Sequence, residues 1–440
     1  MVTATQTSTG TSTATATTPG VATEVAEALA PLVGGALPVR LSAWDGSSAG
    51  PADAPHVVLR SPRALRRLLR HPGELGAAQA YVTGELDVEG DLDAALTHVW
   101  EVAHERGLGS MRRTPAAIAA VVKVTKSAGA LGIPLPPPAS QAVLKGRLHS
   151  LGRDKQAIHH HYDLSNEFYE LVLDPHMAYS CAYWTSDDPD YTVEDAQRDK
   201  LDLVCRKLGL EPGMRLLDIG CGWGSMSLYA AEHFGAQVTG VTIAAEQKRF
   251  IDARIAERGL QDRVEIRLQD YRDVPDNDFD AVVSLEMGEH VGQRNYRTYA
   301  SVLHDRVRPG GRVLIQQMSR RGRHPGGGPF IESFIAPDMT MRPVGRTVDL
   351  LEESGLEVRD VHALREHYVR TVDAWYDTLE SSWDRAVALV GEEVARVWRL
   401  YLVGASMAFR DGRMGVDQIL SVRPDRGTSG LPPQRPTAWS

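Results

Sequence analysis

The chain has 440 residues, enough for two domains with sizeable cores. Its net charge of -9 and pI of about 5.9 exclude a global attraction to nucleic acid. Cys181, Cys205 and Cys221 form no C-x-x-C pair, no apolar run approaches the ~20 residues of a membrane span, and the N-terminus lacks a signal-peptide core. Neither a zinc site nor a disulfide framework is expected, and a reducing cytoplasm is the simplest location.

Residues 1–20 are nearly all Thr, Ala, Ser and Gly and offer no apolar face, which predicts a disordered leader. From Val21, the spacing of Val25, Leu29 and Leu32 predicts an amphipathic helix. His56 to Leu59 reads as a strand. Ser61 then caps a basic helix reaching Arg70, with Pro62 in its first turn. Small residues, Tyr81 and an acidic turn follow up to Gly90. Residues 21–105 are expected to form a small α/β helper domain.

Residues 106–155 read as a basic linker. Arg112, Arg113, Lys123, Lys126, Lys145, Arg147, Arg153 and Lys155 sit among aliphatic residues, interrupted by Pro134 to Pro138. Two readings stay open. The cations contact anionic lipid headgroups, at ~1 kcal/mol each near the surface, or they merely face water. His159, His160 and His161 suggest metal at first sight. Adjacent residues share no face of a helix or strand, so no metal is expected. Met177 to Trp184 alternates small, hydroxyl-bearing and aromatic residues, as a pocket-lining loop or as aromatic core.

Asp195 to Leu208 reads as a helix leading into the stretch around which the rest is arranged. Leu216-Leu217-Asp218-Ile219 runs into Gly220-Cys221-Gly222-Trp223-Gly224, then a helix from Ser225 to Phe234. Strand, glycine turn and helix open a nucleotide-binding α/β sheet. The next strand ends Val241-Thr242-Ile243 before Gln247, without the acid that a dinucleotide site uses for the ribose. NAD is therefore disfavoured, while a hydroxyl and an amide remain to meet a ribose or an amino-acid end. Helices at Glu246–Arg258 and Asn295–Val307 alternate with strands at Arg263–Leu268, Asp280–Leu285 and Gly311–Gln317. The fold class is α/β, a doubly wound, mostly parallel sheet with ligands at the carboxyl ends of its strands. Gln269-Asp270, Glu286 to His290 and Gln316 to Met318 fall at such ends. Apolar Phe330 to Met341 reads as an insert over a substrate channel. Val369 to Arg410 is largely helical, with Trp375, Leu379 and Trp383 on one side, and the tail after residue 425 is expected to fray.

His161-Tyr162-Asp163-Leu164-Ser165-Asn166, Leu173-Asp174-Pro175, Tyr179 to Trp184, Leu217 to Gly224 and Glu289-His290-Val291-Gly292 occur in order. Together they resemble the cyclopropane-fatty-acyl-phospholipid synthase family, which includes mycolic acid cyclopropane synthases and methyltransferases that begin tuberculostearic acid synthesis. The resemblance covers about residues 155–425, with a weaker match in the helper domain. It implies a class I, Rossmann-like domain over residues 156–425, dependent on S-adenosyl-L-methionine (SAM), acting on unsaturated phospholipid acyl chains at the inner membrane face. By the same resemblance Tyr179, Ser180, Asp218, Gly220, Cys221, Gly222, Gly224, Thr242, Ile243, Gln247, Gln269, Asp270 and Leu285 would form the SAM site. Bicarbonate would act as base, held by Cys181 through its backbone, Glu289 and Tyr368, with His290 and Gln316 in the catalytic group. A homodimer, and a reductase acting on a methylene product, are further expectations. Two positions depart from the family pattern. Gln316 stands where the family usually has His and cannot gain a proton near neutral pH. Ala405 stands where a late family cysteine occurs, which excludes a covalent cysteine mechanism there. The product is a cyclopropane or a methylene branch, with Gln316 and the composition leaning to the branch. A non-catalytic SAM- or lipid-binding protein and a small-molecule methyltransferase are the competing classes.

Overall fold

Ser61 caps its helix through its side chain, which accepts from the Arg63 N–H at 3.2 Å. The computed structural model describes residues 20–108, 115–127, 129–130, 132–142, 165–321 and 326–439, in two units that divide between Leu135 and Pro136. The first holds α1 (Val21–Leu29), β1 (Arg40–Ala43), β2 (Ser48–Ala49), β3 (His56–Leu59), α2 (Pro62–Arg70), α3 (Glu74–Val82), β4 (Leu86–Glu89), α4 (Leu92–Glu105) and α5 (Pro115–Ser127). Its strands run in the order β2-β1-β3-β4, with only β1 and β3 parallel. Ala22, Val25, Leu41, Leu59 and Leu65 form its core. Arg67 is buried in α2 because Glu85 takes its guanidinium at 2.6 Å.

Helix α5 falls in the stretch read as a linker. Val124 and Ala130 instead join the first unit's core, while Lys123 and Lys126 are exposed. Val124 and Thr125 face inward while the two cations face water, which gives the helix a docking side and a solvent side. Arg112, Arg113, Lys145, Arg147, Arg153, Lys155 and the three consecutive histidines lie outside the described residues.

The second unit holds α6 (Asn166–Val172), α7 (Val193–Leu208), β5 (Arg215–Ile219), α8 (Ser225–His233), β6 (Gln237–Thr242), α9 (Ala245–Glu257), β7 (Val264–Leu268), β8 (Phe279–Leu285), α10 (Tyr296–Arg306), β9 (Val307–Arg320), α11 (Pro329–Phe334), α12 (Val344–Glu353), β10 (Glu357–Ala363), α13 (Arg365–Ser381), α14 (Trp383–Val390), α15 (Glu392–Arg410) and β11 (Met414–Val422). Strand order is β7-β6-β5-β8-β9-β11-β10, and only β11 runs antiparallel to its neighbours. Alternation along the strands feeds two cores. Leu216, Val238, Val283 and Leu314 pack with α7, α8 and α9; Leu217, Val241, Val282 and Val313 pack with α10 and α12. Burial on both faces is why these strands read as continuous apolar runs.

Order reverses at β5, whose two neighbours are β6 and β8, and this opens a crevice at the carboxyl ends. A third, aromatic core gathers Phe168 and Tyr169 of α6, Trp223, Tyr368 and Trp375 of α13, and Trp398 and Phe409 of α15. Phe330, Phe334, Ile335, Ala336 and Met341, read as a channel insert, are buried. The tail expected to fray docks instead: Trp439 enters the core beside α7, and Arg435 pairs with Asp360 at 2.9 Å. A tryptophan brings enough apolar area to order an otherwise polar end. Among the described residues no helix is long and apolar enough to cross a membrane, and no group of His, Cys, Asp or Glu could hold a metal ion.

Candidate active site

Strand β5 delivers the chain into a turn whose glycines all have positive φ: +76° at Gly220, +55° at Gly222 and +86° at Gly224. Left-handed backbone suits glycine, which has no Cβ to clash. The N–H groups of Gly220 and Cys221 both donate to the Val241 carbonyl, at 3.0 and 3.1 Å, tying the turn to the end of β6. A Cβ on Gly220 would stand 2.8 Å from Met287 Cγ; one on Gly222 would meet nothing within 4 Å. The turn thus packs against the loop after β8 on one side and faces open space on the other.

That open space is a cleft over the ends of β5, β6, β7 and β8. Tyr179, Ser180, Asp218, Gly220, Cys221, Gly222, Thr242, Ile243, Gln247, Gln269, Asp270 and Leu285 all line it, and so does His290. Gly224 does not; it faces α9, where a Cβ would lie 2.9 Å from Ile251. Burial pushes the Asp218 carboxyl up to about 6, against a hydrogen bond from the Ser227 hydroxyl at 2.7 Å. At the end of β6 the Thr242 hydroxyl donates to Gln247 Oε1 at 2.8 Å and accepts from the Ala244 N–H. Asp270 is partly buried, yet hydrogen bonds and charge from Arg272 hold its carboxyl below the ordinary range. Its neighbour Gln269 donates to the Asp273 carbonyl.

Beneath Ser180 lies an ammonium that the sequence reading passed over. Lys200, on α7, is completely buried and donates to Ser180 Oγ at 2.8 Å. Burial lowers its pKa to about 8, while the nearby carboxylates of Asp174 and Glu286 oppose that fall. Asp174 is itself pushed up to about 6 by burial, although it accepts from the His176 and Ala178 N–H groups.

Cys181, Glu289, Gln316 and Tyr368 do not line the cleft. They lie behind its wall and converge on Glu286, which does. The backbone places Glu286 unusually, at φ 53°, directly after β8. Its Oε1 accepts from Gln316 Nε2 at 3.0 Å and from the Cys181 N–H at 3.5 Å. The Glu289 carboxyl lies in hydrogen-bonding reach of Glu286 on the other side and also accepts from the Met318 N–H. Gly288, between the two, packs close to β9, where a Cβ would stand 2.1 Å from Gln317 Oε1. Burial first, then repulsion from Glu286, raises the Glu289 carboxyl well above the ordinary range. Glu286 rises too, through burial, but Gln316, Glu289 and Lys200 favour its anion. The lift is therefore greater at Glu289 than at Glu286. Burial also raises the Tyr368 phenol, with Glu286 adding to the effect.

The amide of Gln316 is oriented from a distance. Lys207, buried under β11, donates to Gln418 Oε1 at 2.9 Å, to His362 Nδ1 at 3.1 Å and toward Asp360 at 3.3 Å. An ammonium can only donate, so the Gln418 oxygen must face it. The Gln418 amide nitrogen then donates to Gln316 Oε1 at 2.9 Å, which turns Gln316 Nε2 toward Glu286 and the Cys181 carbonyl. Lys207 and Gln418 had no signal at the sequence level, whereas Glu286 and Gln316 stood out as strand-end residues.

A doubly wound sheet with a glycine turn after its first strand, a hydroxyl rather than an acid after the second, and a cleft over both defines a SAM-dependent methyltransferase. The model of the mycolic acid cyclopropane synthetase family matches residues 149–419, and the chain belongs to that family. It is 39% identical over 407 residues to a probable fatty acid methyltransferase of Mycobacterium tuberculosis, covering 90% of this chain and 93% of the relative. It is 38% identical to the cyclopropane-fatty-acyl-phospholipid synthase of Escherichia coli, over 60% of this chain and 66% of that one. Among solved structures, the mycolic acid cyclopropane synthase CmaA1 complexed with SAH and CTAB aligns with a TM-score of 0.57 at 32% identity, covering 61% of this chain and 97% of that one. The chain is an enzyme of a lipid-modifying family that acts on fatty acyl chains.

Proposed function

We propose that this enzyme moves the methyl group of SAM to the double bond of an unsaturated fatty acyl chain of a phospholipid, at the membrane surface. The carrying observation is that one strand-end cleft joins the glycine turn to a buried carboxyl pair. Methylation of an alkene leaves a cation that must lose a proton, and such chemistry needs a base shielded from water.

The residues present fit SAM. Gly222 leaves room for close approach, Thr242 and Gln247 offer a hydroxyl and an amide, and Tyr179 and Ser180 close the opposite wall. When bound, SAM supplies a methyl group on a positively charged sulfur. Asp218 and Glu286 put negative charge on the same cleft. Tyr179 is held by a hydrogen bond between its hydroxyl and that of Tyr401 at 3.0 Å, and by ring contacts with Trp375 and Trp398. Aromatic faces fixed in this way stabilise a carbocation by ~2 kcal/mol where water is excluded.

Bicarbonate, implied as base by the family resemblance, does not fit. The Cys181 N–H and the Gln316 amide that would hold it are taken by Glu286, and an added anion would face two buried carboxyl groups. Of the two products we favour the methylene branch. The relative matched over nine-tenths of this chain bears the name of a fatty acid methyltransferase, whereas the cyclopropane synthase matches over 60%.

The experiment is to incubate the enzyme with methyl-labelled SAM and vesicles of monounsaturated phospholipid, then analyse the acyl chains by mass spectrometry and NMR. Labelled methylene carbon is expected. A cyclopropane would correct the product, and an unlabelled acyl chain would overturn the substrate.

A further inference from the structure

We propose that the Glu286 carboxylate is itself the base that takes the proton from the methylated acyl chain, built into the protein where a bound anion would otherwise sit. The proposal rests on the acyl-chain reading above.

Four observations converge on it. First, Glu286 joins the two halves of the site: it lines the cleft and also meets the buried group behind. Second, its carboxylate takes the donors that suit a small anion, the Cys181 N–H and the Gln316 amide, through one oxygen. Third, its other oxygen, Oε2, is buried and receives no hydrogen bond from an N–H group or a hydroxyl. The Glu286 carboxylate therefore keeps an oxygen with a lone pair that no donor occupies. Fourth, the chain holds Glu286 at a left-handed φ of 53°, a conformation that is unfavourable for a non-glycine residue. Strain of this kind persists where surrounding contacts fix a side chain in place.

The step balances as follows. Formation of the new carbon–carbon bond at the expense of the carbon–sulfur bond leaves an electron-deficient carbon on the acyl chain. A neighbouring C–H bond then breaks. Its proton goes to the Glu286 carboxylate, and its electron pair closes either a carbon–carbon double bond or a ring. The Glu286 carboxyl gains that one proton and returns it to solvent after product leaves. Glu289, Gln316 and Cys181 act as positioning residues, because they hold the carboxylate and do not reach the cleft.

Glycine at position 286 tests this cleanly, since it accepts the positive φ without strain and vacates the two donors. In carbon-dioxide-free buffer the unaltered enzyme should methylate monounsaturated phospholipid at full rate. Glu286→Gln should lose ~10²-fold or more in kcat. Glu286→Gly should be equally slow and recover with added formate or bicarbonate. Binding of ¹³C-bicarbonate, followed by NMR, should appear in Glu286→Gly and not in the unaltered enzyme, a readout independent of turnover. An unaltered enzyme that binds the label and loses its rate without bicarbonate would overturn the proposal, as would a Glu286→Gln variant of full activity. An unaltered enzyme that methylates no acyl chain under any buffer would instead remove the acyl-chain reading, and the base assignment with it.

Discussion

Replacing Gln418 by Leu probes the relay that orients the base without touching the cleft. Gln418 is fully buried on β11 and links Lys207 to Gln316. Leucine fills nearly the same volume, so the effect is that of lost polar partners. Gln316 Oε1 loses its donor, and an unsatisfied buried acceptor costs ~1–3 kcal/mol. Lys207 keeps His362 and Asp360 and loses one of three acceptors, for ~1 kcal/mol more. Together the loss is ~2–4 kcal/mol, a large part of the ~5–15 kcal/mol typical of a domain. Urea unfolding of the purified enzyme measures it. Without Gln418 the Gln316 amide is held from one side only, so its grip on Glu286 loosens and kcat should fall while the Kd for SAM holds. Ser421→Ala supplies the control: the same strand, the same burial, and a hydroxyl with no hydrogen-bond partner among the described residues. It should be neutral or stabilising. Gln418→Leu within ~0.5 kcal/mol of the unaltered enzyme, at unaltered kcat, would refute the relay.

Gly220→Ala should destabilise by ~1–2 kcal/mol through its left-handed backbone, and should weaken SAM binding because the new Cβ displaces Met287 from the cleft wall. Calorimetry with SAM checks both, and an unchanged Kd would count against the glycine turn as the SAM site. Asp174→Asn reports the buried carboxyl. Its pKa is raised in the fold to about 6 from 3.8, so the folded state binds more protons between those values, and the carboxyl costs stability as pH rises through them. Relative to the unaltered enzyme, the variant should gain ~3 kcal/mol between pH ~3.5 and 7. A pH-independent difference in unfolding free energy would show that Asp174 is not held in that way.

Local sequence determined the elements that need no distant partner. The Ser61 cap, the glycine turn and the apolar strands from Leu216 to Ile315 are read correctly because each follows from backbone sterics or from burial on both faces of a sheet. The cleft was legible for the same reason, since strand order places ligands at strand ends. The docking of Trp439 and of α5 depends on surfaces far away in the chain, which no local pattern encodes. The largest difference lies at the base. Glu289 stood out by its motif, but tertiary structure set Glu286 between the cleft and the buried donors. There a residue just past β8 meets side chains from β9, β11 and α7, and hydrogen-bond direction in that group is fixed by a lysine that can do nothing but donate.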